Sequence, residues 1–134
     1  MTRISSIEGI GTTYIDKLID AGITTVENLL QLGSTRKGRQ VLADQLGVSD
    51  SQILHWVNTA DLFRVKGVGS HYAVLLENAG VDSVVELASR NPEHLLGELQ
   101  QINDSRHLVR SMPYLKQVTK WVNRARALPT MVGN

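Results

Sequence analysis

The chain has no cysteine, only three prolines and a single phenylalanine in 134 residues. The lack of cysteine excludes a disulfide scaffold and zinc–thiolate sites, and it fits a reducing compartment, so the expected location is cytoplasmic. Aromatic residues make up 4% of the chain against 42% apolar residues in all, so the core must be aliphatic. No run approaches the roughly 18 apolar residues of a membrane span, and no charged-then-apolar leader opens the chain, so neither a span nor a signal peptide is expected. No stretch alternates apolar and polar residues for long enough to make a strand. The reading is all-α, with enough residues for one core or for two small, similar halves.

Acidic residues are also missing from one region. Residues 1–64 hold six Lys/Arg and seven Asp/Glu, and residues 65–104 hold two and six. Residues 105–134 hold six Lys/Arg and no acid, although the net charge of the whole chain is only +1. Such asymmetry points to an anionic partner at the C-terminal end. A solvated helix face is the plain alternative.

What is present is a stretch that occurs twice. Ile7-Glu8-Gly9-Ile10-Gly11 and Val65-Lys66-Gly67-Val68-Gly69 align at an offset of 58, and Tyr14/Tyr72, Leu18/Leu76, Ala21/Ala79 and Gly22/Gly80 coincide with them. Two glycines around one aliphatic residue make a tight connection whose backbone can take positive φ and expose its amides. Thr12 and Ser70 follow as candidate helix caps, and Gly22 and Gly80 stand where a helix stops. Each half therefore reads as turn, helix and stop, with boundaries at 1–64 and 65–134.

The punctuation places further helices. The expected capping boxes are Thr24 with Glu27, Ser83 with Glu86, and Ser49 with Gln52. Thr35 or Ser34 caps a helix that Gly47 ends. Asn91-Pro92 starts a helix to about Ile102, Asp104-Ser105 begins a short helical piece, and Pro113 starts the last helix, which ends before Pro129. Trp56-Val57-Asn58 corresponds to Trp121-Val122-Asn123 at an offset of 65, which implies seven extra residues in the second half near residues 104–113.

The last helix resolves into two faces at 100° per residue. Leu115, Val118, Trp121, Val122, Ala125 and Leu128 form an apolar sector that should pack inward, and Trp56 belongs to the matching sector of its own helix. Lys116, Lys120, Arg124 and Arg126 lie opposite, where the first half has Ser51, His55, Thr59 and Asp61.

The apolar-x-Gly-apolar-Gly turn opening a helix resembles the helix-hairpin-helix motif. Its continuation, Tyr-x-x-x-Leu-x-x-Ala-Gly followed by Thr25-Val26-Glu27 or Ser83-Val84-Val85-Glu86, is similar to a family of uncharacterised bacterial domains built from tandem repeats of this kind. The resemblance covers both units, most clearly residues 7–32 and 65–88. It implies a duplicated, SAM-like helical fold packed as a pseudo-two-fold tandem. It also implies sequence-independent DNA binding, since characterised members of the motif class contact phosphates through hairpin amides at a helix N-terminus. Similar hairpins can also hold a monovalent cation on their carbonyls, which the sequence leaves open here.

The chain departs from the typical basic pair after the second glycine, with Thr12-Thr13 in one copy and Ser70-His71 in the other. Glu8 in the first hairpin would repel phosphate, whereas the second has Lys66 preceded by Arg64. The expected contact surface is therefore Arg64, Lys66, Gly67, Val68, Gly69, Ser70 and His71, joined by Arg106, Arg110, Lys116, Lys120 and Arg124. On this reading, changing Lys116, Lys120 and Arg124 to Glu abolishes binding without unfolding the chain.

No competing chemistry is marked. His55, His71, His94 and His107 are scattered, with no pair spaced for a metal. Asp16 and Asp20 share a helix face, as solvated carboxylates commonly do. No nucleophile elbow or phosphate-loop Gly-Lys-Ser/Thr occurs. The expectation is a non-enzymatic module without cofactor, with DNA as its partner through backbone contacts. A protein-interaction adaptor, with the hairpins serving only as folding elements, is the alternative.

Overall fold

The computed structural model describes residues 2–133, apart from the side chain of Glu8. Among these residues the regular structure is helical: α1 (Thr12–Asp20), α2 (Val26–Leu32), α3 (Arg36–Leu46), α4 (Asp50–Leu62), α5 (Ser70–Asn78), α6 (Val84–Ala88), α7 (Pro92–Arg106) and α8 (Leu115–Ala127). The extended backbone pairs at a single antiparallel position, Arg3 with Thr25. Two compact units divide near the end of α4. One holds the residues up to Asp61 together with the tail from Met131, and the other is Leu62–Thr130.

In the first unit the N-terminal lead is itself structured. Ile4–Ser6 makes a 3-10 turn, and Glu8–Ile10 makes another. Ile4 N–H donates to the Thr24 carbonyl at 2.9 Å, and Val26 N–H donates to the Thr2 carbonyl at 2.9 Å. This pairing seats Ile4, Ile7 and Ile10 in a core with Leu18, Ile23 and Leu29. α1 packs on α3 and on the first 3-10 turn, which also receives α2. Trp56 is 1% exposed, and its ring meets Tyr14 at 5.3 Å between centroids.

The second unit builds on α8. α6 and α7 pack on it and α5 packs on α7, around Leu75, Leu76, Leu87, Leu99, Val118 and Trp121. Trp121 is 2% exposed and meets Tyr72 at 5.1 Å with an interplanar angle of 52°, the same angle as the Tyr14–Trp56 pair. Both tryptophans are core residues, as the helical phase of the sequence requires.

Corresponding backbone bonds recur at the helix stops. After α1, Ile23 N–H donates to the Leu18 carbonyl and Gly22 N–H to that of Ile19; after α5, Val81 N–H donates to Leu76 and Gly80 N–H to Glu77. Each pair is the two-bond Schellman arrangement, which satisfies carbonyls that the helix end would orphan. It needs a left-handed residue, and the glycines supply φ of 89° and 85°.

Several local expectations change. The N-caps of α1 and α5 are Gly11 and Gly69, neither helix has a side-chain cap, and Thr12 and Ser70 are the first helical residues. The hydroxyls stand one position too late to reach the first-turn amides as caps do. Thr25, not Thr24, caps α2, accepting from Asn28 N–H at 3.0 Å, while the Glu27 carboxylate takes the Thr2 N–H at 3.0 Å. Asp104 and Ser105 do not open a new helix, because α7 runs on to Arg106 and ends at His107 in a left-handed turn with φ of 51°. Pro113 is buried ahead of α8, whose N-cap is Tyr114. Ser83, Thr35 and Asn91 cap as expected, Asn91 Oδ1 accepting from both Glu93 and His94 N–H.

Candidate nucleic-acid interface

The residues expected at the interface that lie in the second unit begin with its glycine turn. Val65 and Val68 are buried and joined by a Val68 N–H to Val65 carbonyl bond of 3.0 Å, which holds the turn closed from its apolar side. Lys66, Gly67 and Gly69 face solvent. Gly67 has φ of 97°, and a Cβ there would stand 3.0 Å from Trp121 Nε1. Glycine is thus required at Gly67 both for the backbone angle and for the approach of the indole.

α8 is fastened to this turn by a side chain. Arg124 Nη1 donates to the Lys66 carbonyl at 2.7 Å, so the cationic group on that carbonyl is the chain's own guanidinium. The expectation that Lys116, Lys120 and Arg124 could be exchanged together without harm to the fold is corrected by this bond. Arg124 is half-buried and carries part of the packing of α8 against the turn. A helical wheel places Arg124 on the polar face, but it cannot show a long side chain folding back onto a neighbouring carbonyl.

Other arginines are similarly engaged. Arg64 Nη2 donates to the Pro129 carbonyl at 2.7 Å, and Arg106 Nη1 donates to Asn78 Oδ1 at 2.7 Å. Arg126, which the sequence places on the polar face, donates from Nε to the Ala88 carbonyl at 3.0 Å. A guanidinium has five N–H donors and keeps its charge after one bond, so these arginines still add to the positive field. Lys116, Lys120 and Arg110 are exposed and make no hydrogen bond or ion pair among the described residues. Lys116 and Lys120 are four residues apart on α8 and share its outer face. Ser70 opens α5 half-buried beside exposed His71.

Acid enters the second unit elsewhere. Arg90 bridges Glu86 and Glu98, each at 3.6 Å, tying α6 to α7. Glu8, expected to keep phosphate from the first hairpin, has a side chain outside the described residues.

The first unit holds its own basic group. A cleft of about 290 Å³ is lined by Arg36, Arg39, Gln40, Asp50, Ser51 and Leu54. Arg39 is 6% exposed and donates to the Gly33 carbonyl at 2.8 Å and to the Gly133 carbonyl at 2.6 Å. Burial, and then the neighbouring Arg36 charge, push its pKa below the usual arginine value. Nothing in the sequence marks Arg39, because its acceptors are backbone carbonyls 6 and 94 residues away. Among the described residues no three His, Asp or Glu side chains gather as a metal site, and no helix is long and apolar enough to cross a membrane.

A family model described as Domain of unknown function (DUF4332) matches residues 8–128. The chain belongs to that family. The matched span takes in the glycine turns, the helix stops and both tryptophans. No curated protein and no solved structure matches the chain.

Proposed function

We propose that this DUF4332 chain is a non-enzymatic module of two helix-hairpin-helix-like repeats, and that its second unit binds nucleic acid through the phosphate backbone, without sequence preference. The observation that supports this best is the Arg124–Lys66 bond. It joins the glycine turn to α8, so one element carries Lys116 and Lys120 while anchored beside Lys66. The N-terminal end of α5 adds the positive pole of its dipole. Residues 105–134, which include α8, carry no acid of their own. Lysines that meet phosphates release counterions, so affinity falls with salt. Cytoplasmic location fits a chain without cysteine.

The test is a titration of the intact chain with a short duplex and a single strand at 50 and 200 mM salt. Binding should weaken with salt at a log–log slope near −3 if about three phosphates are met, each contributing about −0.9 for a duplex. Lys116→Glu with Lys120→Glu should abolish binding and leave the melting temperature within a degree or two, since both side chains are exposed and unbonded. If neither nucleic acid binds the unchanged protein at 50 mM salt, the proposal is wrong.

The first unit supports the adaptor reading. It has five Lys/Arg against seven Asp/Glu up to Asp61, and it exposes Leu32, Val41 and Leu54. Such a surface suits a protein partner better than a polyanion.

A further inference from the structure

The chain has three tyrosines, and two of them are spent on its cores. Tyr14 and Tyr72 pack on Trp56 and Trp121, and Phe63 packs against the second core. Tyr114 differs. It is 78% exposed.

Its position makes the exposure informative. At the offset of 65, Tyr114 stands where the first half has Ser49, and Gln117 stands where it has Gln52. Ser49 caps α4, its Oγ accepting from Gln52 N–H at 3.1 Å. Tyr114 occupies the N-cap of α8, where the Gln117 side chain takes its backbone N–H. Serine is among the best residues at such a site, and tyrosine is not. The ring at this position lies mostly in solvent, where a serine would suit the N-cap better.

The ring is mounted on a fixed base. Gln117 Oε1 accepts the Tyr114 N–H at 2.7 Å, and Pro113 before it is buried. The preceding loop is pinned twice. Asn103 exchanges two bonds with Val109, through Oδ1 at 2.9 Å and Nδ2 at 3.2 Å, and the Tyr72 hydroxyl donates to the Ser111 carbonyl at 3.1 Å. Cation-bearing residues flank the ring in sequence, with exposed Arg110 before it and exposed Lys116 and Lys120 after it.

We propose that Tyr114 is a stacking platform for an unpaired base, which makes single-stranded nucleic acid the preferred ligand of the second unit. The inference rests on the nucleic-acid reading above and adds the class of strand. Every base has a π-face, so stacking on an exposed ring, with lysines close by in sequence to meet phosphates, binds single strands without reading sequence. A duplex keeps its bases stacked on each other and offers the ring only phosphate and sugar.

The test measures binding of oligo-dT, a duplex of equal length, and an oligo-dT strand whose central bases are removed. The proteins are the intact chain and its Tyr114→Ala, Tyr114→Phe and Tyr114→Ser forms. Tyr114→Ala and Tyr114→Ser should weaken oligo-dT binding by about tenfold, as expected for losing one stacked base, while Tyr114→Phe keeps it. Duplex affinity and the abasic strand should not respond. Tyr114→Ser should also raise the melting temperature by about 3 °C, because serine is the better N-cap residue. If oligo-dT affinity is unchanged in Tyr114→Ala, or duplex affinity falls equally, the platform is refuted and the backbone-binding proposal stands. If the unchanged protein binds neither strand form, both proposals fall together.

Discussion

In the first half the positive φ of the glycine turn falls on its second glycine, Gly11 at 85°, whereas in the second half it falls on the first, Gly67 at 97°. Gly69, the counterpart of Gly11, is extended at φ of −100°. Ile7-x-Gly9-Ile10-Gly11 and Val65-x-Gly67-Val68-Gly69 thus share a sequence pattern but not a backbone. The approach differs: a 3-10 turn spans Glu8–Ile10, while α4 runs to Leu62 just before the second turn. The packing differs too, since Trp121 and Arg124 crowd Gly67 while nothing lies within 4 Å of a Cβ at Gly9. The stops after α1 and α5, by contrast, match bond for bond. A Schellman stop is settled by six consecutive residues, whereas a glycine turn takes its shape from what packs on it.

The largest test of the likeness is removal of its tryptophans. Trp56→Ala and Trp121→Ala should each cost about 3–5 kcal/mol, the range for large aromatic deletions in a core. Chemical denaturation with circular dichroism reads this, and equal losses support equivalent roles. Trp→Phe should separate the two. Trp56 Nε1 is buried without a hydrogen-bond partner among the described residues, so Trp56→Phe removes an orphan donor that costs about 1–3 kcal/mol to bury. Its penalty should fall below that of Trp121→Phe, and an equal or larger penalty at Trp56 would break the contrast.

A crossed set of glycine substitutions sharpens the difference between the turns. Gly11→Ala and Gly67→Ala should each destabilise by about 1–3 kcal/mol, because alanine is strained at those angles. Gly9→Ala and Gly69→Ala should change stability by less than about 1 kcal/mol, since neither has positive φ and neither Cβ meets an atom. A matched pattern, in which Gly9 tracks Gly67, would show the two turns to be alike after all.

The smallest effect concerns pH and the first half alone. The Thr2 N–H holds the Glu27 carboxyl below its usual pKa. A depressed carboxyl contributes stability above its unfolded pKa of about 4.3 and loses it as pH falls through the folded value. Urea midpoints of Glu27→Gln should therefore trail the unchanged protein at pH 5–7 and converge with it toward pH 3. At the offset of 58 the second half has Val85, exposed and without charge, so Val85→Gln should show no such dependence. A gap that persists at pH 3 would assign the effect to packing.

Helix positions and buried faces were legible in the sequence because their causes are local. Gly22, Gly80 and Gly47 stop helices by conformation, Asn91 caps by reach, and Trp56 and Trp121 are buried by helical phase. The cap positions at Thr12 and Ser70 were misplaced by one residue, since a glycine without a side chain can itself be the N-cap when neighbouring packing fixes the turn. The candidate site was legible as charge but not as geometry. Six basic residues after position 104 are visible in the sequence; which of them donate to carbonyls, as Arg124 and Arg126 do, depends on distances across 58 and 38 residues. Tyr114 went unmarked because a tyrosine before an amphipathic helix reads the same whether it is packed or exposed.

The two bonds of Arg39 have a consequence for how the chain is assembled. Its acceptors are Gly33, made before it, and Gly133, made 94 residues after it. The first unit is therefore split in sequence, with Leu62–Thr130 inserted as a guest between its body and its tail. During synthesis the guest has all its residues before the host does, so the half that is begun first is completed last. Excision obeys the same asymmetry: the second unit can be cut out as one continuous piece. The first must be spliced from Asp61 to Met131, or a buried guanidinium loses one of its two carbonyl partners.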